Sequence, residues 1–179
     1  MIPLGCVTGR FQPVHEQHLE LFGIALAECD RVVVAVTNPD TGARHAESTS
    51  VHRHTDAANP FTYFERVRLL ETALRDRGLG ARTTIVPFDL TRSELWTQYV
   101  PLSARHYVRA YSDWERQKAT WLEQAGYTVT VLDGDPSNRL SASDIRAGMR
   151  AGGWQRLVPV ATVPLLEQIL GRVQVEEGA

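Results

Sequence analysis

Five short apolar runs recur along the chain, and each is followed by residues with apolar side chains at helical spacing. The runs are residues 2–7, 31–36, 83–88, 107–111 and 128–132. The second run is dominated by valine, and such continuous β-branched runs are typical of strands buried on both faces of a parallel sheet. Strands that alternate with helices predict an α/β fold. We expect a doubly wound, Rossmann-like sheet of five parallel strands, with helices on both faces and a C-terminal helical segment.

Local signals predict where several helices begin. Thr62 and Glu65 have the spacing of a capping box, in which each residue satisfies a backbone N–H of the other. Thr91 and Glu94 have the same spacing ahead of a shorter helix. A further helix is predicted from about residue 143, and Ser143 taken alone is a plain N-cap.

Residues 41–58 interrupt the alternation with a polar stretch that has no periodicity. Long segments of this kind in compact domains are commonly functional lids or disordered, so we expect a mobile loop. The stretch contains His45, His52 and His54. Their spacings of seven and two residues, with no cysteine nearby, are poor geometry for a metal ion. We therefore predict no metal site built by the protein.

Length, charge and cysteine content restrict the classes of function. The 179 residues are predicted to form one domain, residues 1–179. A formal net charge of −2 gives no overall basic field, so no nucleic-acid partner is expected. No apolar run approaches the ~20 residues of a membrane span, and the N-terminus lacks the pattern of a signal peptide, so no membrane partner is expected. Cys6 and Cys29 make no disulfide framework, which indicates buried free thiols and a cytoplasmic location.

The first apolar run leads into residues 9–18, Gly-Arg-Phe-Gln-Pro-Val-His-Glu-Gln-His, which we call the first segment. It is predicted to form a turn and the N-terminus of a helix after a strand. Such a junction concentrates backbone N–H donors and the positive end of a helix dipole, which suits a bound phosphate. His15 and His18 are three residues apart and can face the same point above the strand. With Arg10 nearby, a phosphate site is favoured over an incidental turn.

A related signal occurs at residues 140–146, which we call the second segment. Ser141 and Ser143 lie at the start of a predicted helix, and Arg146 lies in its first turn. Small hydroxyl residues and free N–H groups can surround terminal phosphates, and an arginine can bind them through two parallel hydrogen bonds. Ligands of doubly wound sheets bind beyond the carboxyl ends of the strands, where the first segment is also expected.

Together the two segments resemble the HxGH and ISSTxxR signatures of the nucleotidylyltransferase superfamily. Within it, the chain is most similar to archaeal-type nicotinamide mononucleotide (NMN) adenylyltransferases, which have the same GRFQP opening. Further matches are an NPFTxxER pattern from residue 59, a tryptophan at position 96 and a closing LVP from residue 157. The resemblance extends over nearly the whole chain.

The resemblance implies that ATP and NMN react to give NAD and pyrophosphate, with Mg²⁺. The acceptor phosphate would attack the α-phosphorus in line, so catalysis needs positioning and charge neutralisation. The implied catalytic residues are His15, His18 and Arg146. The implied nucleotide-binding residues are Gly9, Arg10, Phe11, Gln12, Ser141, Ser143 and Arg146. The implied acceptor-binding residues are Trp96, which would stack on the nicotinamide ring, Asn38 and Asn59. The alternative for Trp96 is a core anchor of its short helix.

Two features depart from the family pattern and leave the substrate pair open. Gln17 replaces the glycine of HxGH, where the missing side chain lets the nucleotide approach the backbone, and the loop at residues 41–58 is long. The alternative is a diverged cytidylyl- or adenylyltransferase that uses CTP or ATP with another phosphate- or phosphonate-bearing acceptor. A non-catalytic nucleotide-binding regulator is disfavoured, because it would not need all the signature residues. Relatives of this type commonly form homo-oligomers, and the same is expected here.

Overall fold

The computed structural model describes residues 1–44 and 54–177, with side chains described through residue 171. In this part of the chain, five parallel strands form one sheet in the order β3-β2-β1-β4-β5. The strands are β1 (Ile2–Gly9), β2 (Cys29–Thr37), β3 (Thr83–Phe88), β4 (Arg105–Ala110) and β5 (Thr128–Asp133). The α-helices are α1 (Glu16–Glu28), α2 (Tyr63–Asp76), α3 (Trp96–Tyr99), α4 (Asp113–Gln124), α5 (Ala142–Ala151) and α6 (Val163–Glu177). None of the described helices has the length and apolar content that a membrane span requires.

Alternate residues of β2 are buried in two different cores, one on each face of the sheet. Val32, Val34 and Val36 pack in a core that includes residues of α1, α2 and α6. Val33 and Ala35 pack in a second core with residues of α3 and α4. Successive side chains of a strand point to opposite faces, so a strand covered on both faces has to be apolar throughout. The predicted doubly wound sheet with helices on both faces is confirmed.

The strand order determines where a ligand can bind. From β1 the chain proceeds to β2 and β3 on one side, and it then crosses to β4 and β5 on the other side. The order therefore reverses between β1 and β4, and the loops that leave these two strands diverge above the sheet. Cys6 of β1 and Cys29 of β2 are buried free thiols, as predicted.

One predicted capping box is confirmed and another is wrong. The Glu65 N–H donates to Thr62 Oγ1 at 3.2 Å and the Thr62 N–H donates to Glu65 Oε2 at 2.8 Å, so the box at the start of α2 is present. Thr91 instead donates from its hydroxyl and its N–H to Asp89 Oδ1, at 2.7 and 2.8 Å. The nearby carboxylate engages Thr91 in a turn, so the box with Glu94 does not form and a 3₁₀ turn begins at Ser93.

Helix α5 begins one residue earlier than predicted. Its N-cap is Ser141, whose Oγ accepts a hydrogen bond from the Asp144 N–H at 3.1 Å. Ser143, whose alternative role was a plain N-cap, lies inside the first turn of the helix. The side chain of Ser143 is therefore available to contact Arg146, which lies one turn further along.

The predicted loop at residues 41–58 is described in part. Thr41–Ala43 and Asp56–Ala58 are short 3₁₀ turns. An ion pair between Arg44 Nη1 and Asp56 Oδ1, 2.7 Å apart, joins the two ends of the stretch. His45 and His52 lie outside the described residues, so the expected mobility of the loop stays a prediction.

Candidate active site

A cleft of about 790 Å³ lies at the carboxyl ends of β1 and β4, where the strand order reverses. The volume is typical of sites for small molecules. The walls come from the turn after β1, the end of β4, the first turn of α1, the inner face of α4 and the start of α5. The cleft is therefore where the strand order alone would place a ligand.

The cleft brings together most of the residues predicted for the site. They are Gly9, Arg10, Phe11, Gln12, His15, His18, Ser141, Ser143 and Arg146. The two segments meet where Arg146 Nη1 donates to the Gln12 carbonyl at 2.9 Å, between residues 134 positions apart in sequence. Arg146 Nη2 also donates to Ser143 Oγ at 3.0 Å. The first and second segments thus lie together at this cleft.

The turn after β1 explains the glycine at position 9. A Cβ on Gly9 would lie 2.8 Å from the ring of Phe11, so any larger residue would displace that ring. Phe11 has a φ of 51°, a conformation that is costly for a residue other than glycine. Its ring packs edge-on against His18 with the centroids 4.9 Å apart. The strained turn therefore supports the position of His18.

His15 and His18 stack on each other with ring centroids 3.6 Å apart. The His15 N–H donates to His18 Nδ1 at 3.2 Å, which assigns the hydrogen of the neutral His18 ring to Nε2. Burial, and then the charge of Arg139, lower the pKa of His15 to about 4. Burial first, and the positive charges around it second, hold the pKa of His18 well below its usual value. In the free protein both rings are therefore neutral at pH 7.

Positive side chains dominate the cleft. Those that line it are Arg10, Arg109, Lys118, Arg139, Arg146 and Arg150. Among the described lining residues, Glu115 is the one acid. Its carboxylate accepts hydrogen bonds from Arg139 at 3.0 Å and from the Ser112 hydroxyl at 2.5 Å. The arrangement suits an anion with several negative charges, such as a polyphosphate.

Reasoning from the sequence missed Lys118 and Arg139, which both line the cleft. Lys118 Nζ donates to the Thr8 carbonyl at 3.2 Å, so the ammonium group lies at the end of β1. One signal was available, since Lys118 is the only lysine in the chain. Its position on the face of α4 toward the cleft depends on packing that no local pattern indicates.

Two of the predicted nucleotide-binding residues use their side chains within the protein. Gln12 Nε2 donates to the Phe61 carbonyl and the Phe61 N–H donates to Gln12 Oε1, both at 3.0 Å. The Ser141 hydroxyl caps α5 through Asp144. Contacts of these two residues with a nucleotide would therefore come mainly from their backbone atoms.

The three predicted acceptor residues are not among the residues that line the cleft. Trp96 is 3% exposed and stacks on Phe88 with ring centroids 5.4 Å apart, and its Nε1 donates to the Asp89 carbonyl at 2.7 Å. These contacts favour the alternative, a core anchor of α3, because the indole is almost fully buried and its N–H is already bonded. Asn38 Nδ2 donates to Asn59 Oδ1 at 3.4 Å, so these two side chains contact each other.

Arg66, which is 1% exposed, connects this side of the cleft to the sheet. Its guanidinium donates to four backbone carbonyls. They are those of Arg10 at 2.9 Å, Thr37 at 2.8 Å, Asn38 at 2.8 Å and Thr62 at 3.3 Å. Burial lowers the pKa of Arg66 to about 10, so it remains charged at pH 7. The arginine of the NPFTxxER pattern thus joins the turn after β1, the end of β2 and the start of α2.

Comparison with known proteins identifies the family. Residues 6–148 match the family described as cytidylyltransferase-like. The chain belongs to this family. A phosphonoformate cytidylyltransferase of Streptomyces viridochromogenes is 32% identical over 166 residues, covering 92% of this chain and 90% of that protein. A nicotinamide-nucleotide adenylyltransferase of Pyrococcus horikoshii is 30% identical over 169 residues, covering 93% of this chain and 84% of that protein. The resemblance predicted from the two segments is confirmed, and the protein is a nucleotidyltransferase.

Solved structures have the same fold. A bifunctional NMN adenylyltransferase/ADP ribose pyrophosphatase from Francisella tularensis superposes with a TM-score of 0.66 at 16% identity. The superposition covers 88% of this chain and 45% of that longer protein, so this likeness concerns the fold alone. A second structure of the bifunctional protein from the same organism contains AMP and a manganese ion.

Proposed function

We propose that this nucleotidyltransferase transfers the AMP group of ATP to NMN, forming NAD and releasing pyrophosphate. The observation that supports it most strongly is the contact of Arg146 with the Gln12 carbonyl. This contact sets the start of α5 opposite His15 and His18, across a cleft lined by cations. A triphosphate in the cleft can have its terminal phosphates at α5 and its α-phosphate at the histidines. The relatives named nicotinamide-nucleotide adenylyltransferase support the choice of ATP and NMN.

The chemistry is an in-line displacement at phosphorus. An oxygen of the acceptor phosphate forms a bond to the α-phosphorus, and the bond from that phosphorus to the β-bridging oxygen breaks, so pyrophosphate leaves with the electron pair. His18, held by His15 and Phe11, donates from Nε2 to a non-bridging oxygen of the α-phosphate, where negative charge develops. Arg146 and Ser143 bind the β- and γ-phosphates. The bound triphosphate favours the charged form of both histidines, because opposite charge raises the pKa of an imidazole.

The acceptor phosphate is proposed to bind beside Arg10, whose Nη1 donates to the Ala58 carbonyl at 3.2 Å at the rim of the cleft. Asn59 directly follows Ala58, and its side chain contacts Asn38. The two asparagines would position the acceptor at this rim. Arg66 supports the same region through the Arg10 and Asn38 carbonyls.

A divalent cation, Mg²⁺, would enter with the triphosphate and neutralise part of its charge. Among the described residues, no group of three histidine, cysteine, aspartate or glutamate side chains could hold a metal ion. Glu115, the acid at the cleft, is already bonded to Arg139. The residues present therefore fit a cation held mainly by phosphate oxygens and water, which is the usual coordination of Mg²⁺ in nucleotide sites. The manganese ion in the Francisella structure supports a divalent cation.

A second candidate is the transfer of CMP from CTP to a phosphonate-bearing acceptor. It is favoured by the 32% identity to a phosphonoformate cytidylyltransferase. It is also favoured by Gln17, whose side chain lies in the cleft where the family pattern has glycine. A side chain at this position reduces the room near the start of α1, and a pyrimidine base needs less room than a purine.

The test is pyrophosphate release from each of the four common nucleoside triphosphates, combined with NMN or with phosphonoformate, with products identified by mass. NAD formed from ATP and NMN would support the first candidate. A product of CTP and phosphonoformate, without NAD from the other pair, would refute the first candidate and support the second. No pyrophosphate release from any pair would contradict both. The His18→Ala variant is the control for turnover at this cleft.

A further inference from the structure

Gln17 connects the first turn of α1 to the chain that leads into the second segment. Its Oε1 accepts hydrogen bonds from the Leu140 N–H at 2.9 Å and from the Tyr111 hydroxyl at 3.1 Å. Its Nε2 donates to the Asn138 carbonyl at 2.5 Å. Both ends of the amide are thus bonded to the protein, and two of the three contacts are with the backbone of Asn138 and of Leu140, the first residue of the second segment.

The partners of Gln17 are themselves held in place. The Tyr111 ring packs so closely on the chain after β5 that a Cβ on Gly134 would lie 2.5 Å from it. The Arg139 guanidinium lies over the Tyr111 ring, 5.2 Å from its centroid. Arg139 also pairs with Glu115 of α4 at 3.0 Å. Residues 134–140 are therefore held by contacts with Tyr111 and Glu115. Gln17 connects the same residues to α1.

Two hydrogen-bonded connections join the start of α5 to α1 and to the turn before α1. Leu140 directly precedes Ser141, the N-cap of α5. The Gln17 contact holds the backbone just before the helix, and the bond from Arg146 to the Gln12 carbonyl holds the first turn of the helix. Removal of the Gln17 amide would leave the Leu140 N–H without this acceptor, and the Arg146 bond would remain as the other of these two hydrogen-bonded connections.

We propose that Gln17 is a positioning residue, which fixes the second segment for the terminal phosphates before the nucleotide binds. The inference rests on the proposed nucleotidyl transfer but not on the choice of acceptor, because every such transfer releases pyrophosphate. A segment that must be ordered on binding weakens affinity by the cost of that ordering. The loss of three hydrogen bonds, only partly replaced by water, is expected to raise the Kd for pyrophosphate by about 10- to 100-fold.

The test compares Gln17→Met, which keeps the length of the side chain without its amide, with Gln98→Met, the same change at an exposed position of α3. Calorimetry with magnesium pyrophosphate and with ATP measures Kd, and hydrogen exchange measures the protection of the Leu140 N–H. We expect weaker binding of both ligands and faster exchange at Leu140 in Gln17→Met, with neither change in Gln98→Met. The KM for the acceptor should stay within about twofold of the wild type. Tyr111→Phe, which removes one of the three hydrogen bonds, should raise Kd less.

An unchanged Kd for pyrophosphate in Gln17→Met would overturn the inference, as would an effect confined to the KM for the acceptor. A wild-type protein that binds no pyrophosphate would overturn it together with the proposed function. A raised Kd in a protein that turns over CTP but not ATP would support the inference while refuting the pair of ATP and NMN. If Gln17→Met does not fold, Tyr111→Phe decides, and an unchanged Kd in that variant would count against the positioning role.

Discussion

Replacing Arg66 with methionine removes a buried guanidinium that donates to four backbone carbonyls. A hydrogen bond from a charged group contributes about 1.5–3 kcal/mol, and a buried carbonyl left without a donor loses that contribution. Two effects reduce the sum, because the buried cation itself costs desolvation energy and the more exposed carbonyls can bind water. We therefore expect a loss of about 3 kcal/mol in the free energy of unfolding, which lowers the Tm of a chain of this size by about 6–12 °C.

The measurement is urea unfolding at pH 7, followed by circular dichroism, with a thermal scan of the same samples. Arg68→Met is the matched control, since Arg68 lies two residues away on the same helix and is exposed. Exposed substitutions of this kind are expected to stay within about 0.5 kcal/mol of the wild type. A loss below about 1 kcal/mol for Arg66→Met would refute the reasoning, because it would mean that the four carbonyls find other donors.

Three further predictions concern the histidines and the second segment. His18→Ala is expected to lower kcat by about 100- to 1,000-fold, the usual effect of removing one donor to the transition state; unchanged turnover in a folded variant would exclude His18 from the mechanism. Arg146→Ala is expected mainly to raise the KM for the nucleoside triphosphate, and an effect confined to the acceptor would contradict the assignment. Burial lowers the pKa of His106 from 6.5 to about 3, so the folded state favours the neutral imidazole. The stability that the neutral imidazole contributes is therefore lost as the pH falls below about 6.5, the pKa in the unfolded chain. The loss is about 2 kcal/mol at pH 5. His106→Leu should flatten the dependence of the unfolding free energy on pH between 7 and 5, and parallel curves for the two proteins would contradict this.

The strands and the start of α2 could be predicted because they depend on neighbouring residues. Residues 32–36 of β2 are all apolar because both faces of the strand are covered. This burial is visible in the sequence as a continuous apolar run. The Thr62–Glu65 box depends on two residues three apart and was predicted for the same reason. The prediction of a Thr91–Glu94 box was wrong because Thr91 donates its hydroxyl hydrogen bond to a third residue, Asp89.

The positions of Trp96 and of several cleft residues could not be predicted in this way. A tryptophan at the start of a short helix suits either a stacking surface or a core anchor, and only the packing against Phe88 decides between them. Lys118 and Arg139 reach the cleft from elements distant in sequence from the first segment, so no local spacing connects them to His15. Gln17 was noticed as a departure from the family pattern, but its partners are more than 90 residues away along the chain.

The fate of each phosphate of ATP distinguishes nucleotidyl transfer from the other ways of using ATP. ATP labelled at the α-phosphate, or in a parallel sample at the γ-phosphate, is incubated with NMN and Mg²⁺, and the labelled products are separated. We predict that the α label appears in NAD and the γ label in pyrophosphate, and that both products are nearly absent with His18→Ala. Transfer of the γ label to the acceptor, or its release as free phosphate without NAD, would contradict nucleotidyl transfer at this cleft.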